Sequence, residues 1–280
     1  MPVVRLTKRL EFSASHRYHH PAWSEQENRT AFGRCHNPHG HNYLLETTVV
    51  GTVDPITGMV VNLYDLKRVL EEVIEEFDHK DLNQDTPYFA ERIPTAENLA
   101  VVLWGKIAEK LAGGRLASLR LFEEEDLSVD YQGCHIGRLP EVCLTRRYRF
   151  AAAHRLHAAA LSDDENRLVF GKCNNPHGHG HNYTLEVTVR GDIHPDTGMV
   201  TDLDCLDRVV EERILRRFDH QHLNYDEAFA RTVTTGENLV TLMWELLEKA
   251  IPAGTLHKIG LVETRDNYFE YHGPVGERVG

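Results

Sequence analysis

The sequence is organised around one stretch, Gly171-Lys-Cys-Asn-Asn-Pro-His-Gly-His-Gly-His-Asn-Tyr183. From His179 onward, every second residue is His181, Tyr183 or an aliphatic residue, and polar residues alternate with them. This period of two predicts a strand with one buried face, so both imidazoles leave the backbone on the same side. Two imidazoles side by side on a strand provide two of the three ligands of a three-histidine zinc site.

An earlier stretch, Gly33-Arg-Cys-His-Asn-Pro-His-Gly-His-Asn-Tyr43, repeats this arrangement with two residues fewer. Four further segments also recur: Glu11–His16 as Arg149–His154, Asp54–Met59 as His194–Met199, Phe77–His79 as Phe218–His220, and Thr95–Leu99 as Thr235–Leu239. The spacing of the copies is 138 residues before the His-x-His turn and 140 after it, which predicts a register that holds to the end. We therefore predict two tandem units, residues 1–131 and 142–280, joined by a linker at 132–141.

Composition narrows the class of protein. A chain of 280 residues with 41% hydrophobic residues is long enough for two cores, and a net charge of −12 argues against nucleic-acid or anionic-membrane partners. No apolar run is long enough to span a bilayer, and the N-terminus lacks a signal-peptide pattern. Five cysteines, an odd number, favour a reduced, cytoplasmic protein. We interpret Cys134, Cys143 and Cys205 as structural or incidental.

Both repeats share one predicted order of elements, ββααββ. Two strands come first, two amphipathic helices follow, and two strands close the unit. The predicted helix starts are Asn62 or Asp202 for the first helix and Thr95 or Thr235 for the second. This order predicts the α+β class, with a four-stranded antiparallel sheet and both helices on one of its faces.

The first strand of each repeat ends in a third histidine. This histidine lies on the same side of the strand as its apolar residues. The candidate zinc ligands are His16, His39 and His41 in the first repeat and His154, His179 and His181 in the second. Buried histidines that only satisfy hydrogen bonds, or a chance His-x-His in a chain with 18 histidines, are the alternatives. The same triplet placed twice favours metal, and three ligands leave the open coordination position of a catalytic zinc.

Two cysteines, Cys35 and Cys173, each follow a cation in the polar loop before the His-x-His strand. A small buried hydrophobe and a zinc ligand are the alternatives. Since a neighbouring cation favours the reactive thiolate, we interpret both as catalytic bases.

Acidic residues complete the candidate sites. Asp78-His79 and Asp219-His220 follow a helix, where a carboxylate beside an imidazole suits proton transfer, although each Asp is also a common turn residue. Glu123 and Glu263 lie in closing strands. They are either surface charges or acceptors of two parallel N–H bonds from an amidine-like edge, such as that of a pterin or guanine.

These segments resemble the 6-pyruvoyl-tetrahydropterin synthase / 6-carboxytetrahydropterin synthase family over essentially all of both repeats. The resemblance implies two tandem tunnelling-fold (T-fold) units, one Zn²⁺ held by each histidine triplet, catalytic Cys35 and Cys173, and a catalytic Asp-His pair in each repeat. It also implies substrate-binding roles for Glu123, Glu263, Thr95 and Thr235. The matching segments of the second repeat are Phe150–Arg155, Asp164–Asn166, Phe170–Tyr183, Thr197–Met199, Asp219-His220, Thr235–Asn238 and Val262–Thr264.

The activity that the resemblance implies is a zinc-dependent lyase that converts 7,8-dihydroneopterin triphosphate to 6-pyruvoyl-tetrahydropterin and eliminates triphosphate. Cys173 precedes His179 by six residues, as in the pyruvoyl-forming enzymes, whereas Cys35 precedes His39 by four, as in the 6-carboxytetrahydropterin synthases of the queuosine pathway. Those sister enzymes also release acetaldehyde, and their activity is the first alternative. A non-catalytic pterin- or purine-binding module is the second.

The redox change of this reaction is internal, so no nicotinamide or flavin is expected. Candidate cations for the triphosphate are Arg17, Arg34, Arg155 and Lys172. The family's units assemble three to a ring, and two rings stack. Two units per chain therefore imply a homotrimer of six units.

Overall fold

The computed structural model describes residues 1–133 and 139–274. Cys134 and half of the predicted linker, residues 134–138, lie outside the described residues, as does the chain after residue 274. The chain divides into two compact units by its contacts: a first unit of residues 1–145 with 190–202, and a second unit of residues 146–189 with the chain from Leu203 onward. Residues 190–202 thus belong to the second repeat in sequence and to the first unit in space.

The first repeat has the predicted order of strands and helices. Its main elements are β1 (Val3–His16), β2 (His39–Thr52), α2 (Leu63–Ile74), α3 (Ala96–Lys110), β4 (Arg115–Glu124) and β5 (Leu127–Tyr131). The strands lie in the order β5-β4-β2-β1, and every neighbouring pair is antiparallel. A short helix α1 (Glu25–Phe32) and a two-residue strand β3 (Lys80–Asp81), parallel to the end of β1, add to the predicted elements.

The second repeat follows the same plan. Its elements are β6 (Glu141–His154), α4 (Asp163–Phe170), β7 (His179–Asp192), α5 (Leu203–Val210), α6 (Arg216–Phe218), β8 (Gln221–His222), α7 (Gly236–Leu247), β9 (Thr255–Thr264) and β10 (Asn267–Tyr271). The strand order β10-β9-β7-β6 matches that of the first repeat, with β8 pairing beside β6. The predicted T-fold architecture is confirmed for both repeats.

The core of each unit lies between its sheet and its long helices. On β2 the fully buried residues Tyr43, Leu45 and Val49 share one parity, as the period-two pattern predicts. In the second unit, one cluster joins β7 to α5 and α7; its members include Leu185, Val187, Leu206, Val210, Leu239 and Met243. The apolar helix faces therefore cover one face of the sheet, which holds the first two strands of each repeat in a fixed register.

The prediction of a polar loop before each cysteine is wrong in one respect, because each of these segments contains a short helix. Ser24 caps α1 by accepting the Glu27 N–H, while the Glu27 carboxylate accepts the Ser24 N–H at 2.7 Å. Ser162 and Glu165 form the same capping box at α4. This reciprocal pairing satisfies donors at a helix start and stabilises a helix of eight residues. Each helix leads directly into the turn that carries the cysteine.

The expectation of a constant spacing after the His-x-His turn is also wrong, because Phe77 and Phe218 lie 141 residues apart. In the first repeat α2 is a continuous α-helix, whereas in the second a π-helical turn, Glu211–Leu215, separates α5 from α6. A π-turn accommodates one extra residue within a helix. Phe218 therefore stays as fully buried as Phe77.

Candidate functional site

Strand register brings the three predicted histidines of each repeat together. In the first repeat, His16 lies directly opposite His39, and Ala14 lies opposite His41. The ring centroids of His16 lie 4.5 Å from His39 and 5.2 Å from His41, and the corresponding distances from His154 are 4.5 and 5.1 Å. In each triad, one ligand nitrogen from every histidine lies within 4.8 Å of the others.

Hydrogen bonds orient the central imidazole of each triad. His16 Nδ1 lies 2.7 Å from the carbonyl oxygen of Pro94, and His154 Nδ1 lies 2.8 Å from that of Thr234. A carbonyl oxygen only accepts, so Nδ1 carries the proton and Nε2 keeps its lone pair. This is the orientation that metal-binding histidines usually have.

The donor atoms that remain fit a cation. Among the described residues, the Nε2 atoms of His16, His41 and His181 are buried and have no hydrogen-bond partner. In the second triad, Nε2 of His154 and Nε2 of His179 lie 3.1 Å apart. Buried imidazole nitrogens that converge in this way suit Zn²⁺, whose structural and catalytic sites favour nitrogen ligands.

Burial favours the neutral form of four triad imidazoles, those of His16, His41, His154 and His179. Loss of solvent lowers the pKa of His16 to about 3 and that of His41 to about 4. The pKa values of His154 and His179 are lowered as well, chiefly by burial. Since the neutral ring is the form that binds a metal, these four rings are in ligand form at neutral pH.

The strand glutamates border the triads. Glu123 Oε1 lies 3.7 Å from His41 Nε2, and Glu263 Oε1 lies 3.8 Å from His181 Nε2. Glu123 is 5% exposed, and the Tyr183 hydroxyl donates a long hydrogen bond of 3.5 Å to Glu263. The interpretation of these two residues as surface charges is therefore wrong, whereas the neighbouring Glu124 is substantially exposed. Each glutamate therefore places a carboxylate beside the nitrogen atoms of the triad that would hold a metal ion.

Both predicted cysteines lie on short 3₁₀ turns, Gly33–His36 and Gly171–Asn174. The carbonyl of Cys35 accepts the Tyr18 N–H at 2.8 Å, and that of Cys173 accepts the Leu156 N–H at 2.9 Å. Each turn is thereby fixed to the chain two residues beyond the first triad histidine. Both thiols are partly buried and neither forms a disulfide.

Sequence reasoning missed Tyr18. Its ring is buried and lies edge-on to His16, with centroids 5.3 Å apart. Burial raises its pKa, and the nearby carboxylates of Glu123 and Glu97 and the thiol of Cys35 raise it further. The tyrosine is therefore part of the first site, and the second repeat has Leu156 in its place. An aromatic two residues after the strand-end histidine was the available signal.

The Asp-His pairs form, and their backbone is strained. Asp78 Oδ2 lies 2.9 Å from His79 Nδ1, and Asp78 Oδ1 accepts the Ser13 N–H at 2.9 Å. His79 has a φ of 57°, a conformation that non-glycine residues rarely adopt, and its N–H donates to Ser13 at 2.6 Å. The Ser13 N–H bond lowers the pKa of Asp78. The geometry recurs at Asp219-His220, where φ is 56°.

The rings of both pairs point outward. The side chains of His79 and His220 are each 81% exposed. The cavity that His79 lines contains His41 and Asn42 but not Cys35, so the pair and the thiol do not share that cavity. Both pairs are preformed, and neither the cavity lined by His79 nor the one lined by His220 has a cysteine among its described lining residues.

The remaining predicted residues lie at several places around the sites. Thr95 and Thr235 cap α3 and α7, as predicted. Arg17 lines a cavity of about 730 Å³ that also contains His16. The charge of Arg34 contributes to the low pKa of His41. Arg155 donates to the backbone carbonyl of Asn174 at 3.2 Å, beside the turn that carries Cys173 and the exposed Lys172.

Comparison with known proteins finds one family in both repeats. The family model described as 6-pyruvoyl tetrahydropterin synthase matches residues 5–134 and again 143–274. The human protein named 6-pyruvoyl tetrahydrobiopterin synthase is 46% identical over 138 residues, which cover 49% of this chain and 95% of that protein. A Rickettsia felis protein named 6-carboxy-5,6,7,8-tetrahydropterin synthase is 29% identical over 147 residues, covering 46% of this chain and 99% of that protein.

A solved structure is similar as well. The Caenorhabditis elegans 6-pyruvoyl tetrahydropterin synthase aligns with a TM-score of 0.48 and 43% identity, covering 50% of this chain and 100% of that one. Within the described part of the chain, no helix has the length and apolar character needed to cross a membrane.

Proposed function

We propose, because this chain belongs to the 6-pyruvoyl tetrahydropterin synthase family, that it is a zinc-dependent carbon–oxygen lyase. Its substrate is 7,8-dihydroneopterin triphosphate, and its products are 6-pyruvoyl-tetrahydropterin and triphosphate. The observation that carries this proposal is the pair of histidine triads, each with one buried histidine and each bordered by a strand glutamate.

The triads would hold one Zn²⁺ each, through His16, His39 and His41 and through His154, His179 and His181. When bound, the ion supplies Lewis acidity to the side-chain hydroxyls of the substrate, which acidifies the adjacent C–H. The buried Nδ1 hydrogen bonds of the central histidines support this role, because they fix which nitrogen faces the ligand.

The protein's own groups bind the ring and move the proton. Glu263 accepts two N–H bonds from the 2-amino-pyrimidinone edge of the pterin, and Thr235 lies at the same site. The Cys173 thiolate accepts the proton from the substrate carbon, and the C–O bond to triphosphate breaks as the ring is reduced by tautomerisation. Asp219 and His220 serve proton transfer, and Arg155 and Lys172 face the anionic leaving group. The first site has the equivalent groups Glu123, Cys35, Asp78 and His79, whereas the counterpart of Thr235, Thr95, is fully buried and its hydroxyl donates to the Gly198 carbonyl at 2.7 Å.

The second candidate function is 6-carboxytetrahydropterin synthesis with release of acetaldehyde. The observation in its favour is confined to the first site, where Cys35 precedes His39 by four residues. A shorter turn changes the position of the thiol relative to the triad, and proton transfer is sensitive to such displacements. We therefore assign the pyruvoyl-forming reaction to the second site.

One experiment distinguishes the three candidate functions, namely the pyruvoyl-forming lyase, the carboxy-forming enzyme and a pterin-binding module. Zinc-loaded protein is incubated with dihydroneopterin triphosphate, and triphosphate and acetaldehyde are both quantified. Triphosphate alone supports the proposed lyase, triphosphate with acetaldehyde indicates the carboxy-forming enzyme, and neither product leaves a pterin-binding module. A matched incubation with Cys173→Ala identifies the contribution of the second site.

The organisation we propose for this enzyme keeps units at 1–131 and 142–280, a linker at 132–141, and a cytoplasmic homotrimer. Sedimentation near the monomer mass of 32.0 kDa would refute the assembly.

A further inference from the structure

His36 follows the first cysteine directly and uses both of its ring nitrogens. It is only 4% exposed, and it ends the turn Gly33–His36 that carries Cys35. Its Nδ1 lies 3.1 Å from the carbonyl oxygen of Tyr18, and its Nε2 lies 3.0 Å from Oε1 of Glu25 in the first turn of α1. The ring therefore joins the cysteine turn to the chain after β1 and to α1.

Both partners of this ring can only accept hydrogen bonds. A carbonyl oxygen has no proton to donate. Glu25 is ionised at neutral pH, because its hydrogen bonds with His36 and Arg29 lower its pKa from the ordinary value of 4.5. Each ring nitrogen of His36 must then carry a proton to make both bonds, and an imidazole with two N–H groups is a cation.

The charged groups around His36 agree with a positive charge on its ring. The ring of His19 lies 5.6 Å away, centroid to centroid, and its pKa is lowered by burial and then by Arg17 and His36. Since like charges this close disfavour each other, a neutral His19 leaves the charge on His36. Arg29 Nε donates to the same oxygen of Glu25 at 3.0 Å, which keeps that carboxylate in place.

The thiol next to this imidazole lies in apolar surroundings. Cys35 packs against the cluster formed by Tyr18, Phe32 and Ile93. The main chain of Tyr18 connects the two groups, because its N–H donates to the Cys35 carbonyl at 2.8 Å while its own carbonyl accepts from His36. Apolar surroundings screen a charge less than water does, so a cation on the next residue acts strongly on the thiol.

The second repeat has the same hydrogen bond without the imidazole. Asn174 occupies the position of His36, and its amide donates to the Leu156 carbonyl at 2.7 Å, as His36 does to Tyr18. The cation beside this turn is Arg155, whose guanidinium donates to the side-chain oxygen of Asn174 at 3.3 Å. A guanidinium keeps its charge at every working pH, whereas imidazoles in general titrate near neutrality.

We propose that His36 is a positioning residue of the first site, which holds the Cys35 turn in place and, as an imidazolium, favours the thiolate form of Cys35. When this ring loses a proton at higher pH, the effect on the thiol is lost. The cations Arg34 and Lys172 precede the cysteines in both repeats and do not distinguish them. The use of the thiolate as a base rests on the proposed function, whereas its ionisation does not.

The test measures how fast iodoacetamide alkylates Cys35 and Cys173 in the full chain, with the zinc content matched between variants, by peptide mass mapping as a function of pH. His36→Asn should slow the reaction of Cys35 about fivefold near neutral pH, because the thiolate loses a neighbouring cation. The rates at Cys35 in the variant and in the parent should converge near about pH 10, where thiols are ionised and imidazoles are neutral. The rate at Cys173 should not change.

A second variant separates the charge from a loss of structure. Glu25→Gln, at a side chain that is 60% exposed, keeps an acceptor for Nε2 and removes the carboxylate charge. It should therefore slow Cys35 in the same direction as His36→Asn, but less. His36→Asn itself should fold like the parent by circular dichroism, because the second repeat has asparagine at this position.

Two results would overturn the proposal. One is a rate at Cys35 that is the same in His36→Asn and in the parent near neutral pH. The other is a difference that persists unchanged at about pH 10, since this would indicate altered access to the thiol instead of a lost charge. Both results are independent of triphosphate release, so a chain without lyase activity would contradict the proposed function and leave this inference standing.

Discussion

The two sites of this chain have the same metal-binding geometry and different surroundings. The distances within the two triads agree closely, from 4.5 to 5.2 Å in one and from 4.5 to 5.1 Å in the other. Near the thiols, by contrast, Tyr18 is replaced by Leu156, and the cysteine lies four rather than six residues before the next triad histidine. Groups fixed by strand register have stayed constant, whereas groups on turns have changed.

The cause of this difference is physical. A side chain on a paired strand cannot shift by one residue without moving to the other face of the sheet. The turn between the cysteine and the strand has no such constraint, and it changes length by two residues without disturbing the triad. The two copies can therefore diverge in reactivity and still bind the same metal.

The largest expected effect concerns the two thiols. Cys173→Ala removes the proposed base of the pyruvoyl-forming site and should lower kcat for triphosphate release about a thousandfold, within the range for loss of a general base. Cys35→Ala should change kcat less than about twofold, because its turn has the other spacing. Steady-state kinetics with the zinc content matched between variants provide the measurement. Equal losses in both variants would contradict a division of activity between the repeats.

The next effect concerns metal content and should be equal at the two sites. His41→Ala and His181→Ala each remove one triad ligand, so each should lower bound zinc from about two to about one per chain. Elemental analysis after dialysis measures the content, and His177→Ala, at an exposed position of the same turn, serves as the control. Zinc that stays at two per chain in either triad variant would show that its histidine is not a ligand.

The smallest effect is a pH dependence of stability that distinguishes the buried carboxylate of Glu97, at the start of α3, from the exposed Glu237 at the start of α7. Burial raises the pKa of Glu97 above its ordinary value of 4.5, so protonation favours the folded state. Glu97 therefore adds stability below pH 4.5, and this is lost as the pH rises through its folded pKa. Glu97→Gln should flatten the fall in the free energy of unfolding above pH 4.5, measured by urea titration of the metal-free protein.

Its control is Glu237→Gln, at the exposed counterpart of Glu97 in the second repeat. That variant should change the free energy of unfolding by less than about 0.5 kcal/mol, as for most exposed surface substitutions. A flattening of the same size at both positions would mean that burial of Glu97 does not cause the pH dependence.

Much of the fold and both triads could be predicted from the sequence, because they depend on local periodicity. The alternation of apolar and polar residues around His181 predicts the strand and its buried face. The repeated sequence then supports a matching triad in the first repeat. The capping box at Ser24 and Glu27 was also readable, since Ser and Glu three residues apart signal a helix start. The prediction of a polar loop before Cys35 does not use that signal.

Other features could not be predicted because they depend on distant parts of the chain. Nothing near Glu97 in sequence indicates that Val200 donates to its carboxylate, since the two lie more than one hundred residues apart. The same applies to Tyr18, whose proximity to Glu123 arises from strand pairing rather than spacing. The outward direction of the His79 ring also required the structure, since sequence gives no φ value.

The π-turn at Glu211–Leu215 bears on how duplicated domains change in length. An insertion inside a buried helix would ordinarily rotate every later residue by about 100° and carry Phe218 out of the core. Here the extra residue is absorbed within a single turn, so the segment that leads to Asp219 and His220 ends where its counterpart does. Such a bulge allows an evolving protein to accept an inserted residue near its reactive groups and still fold.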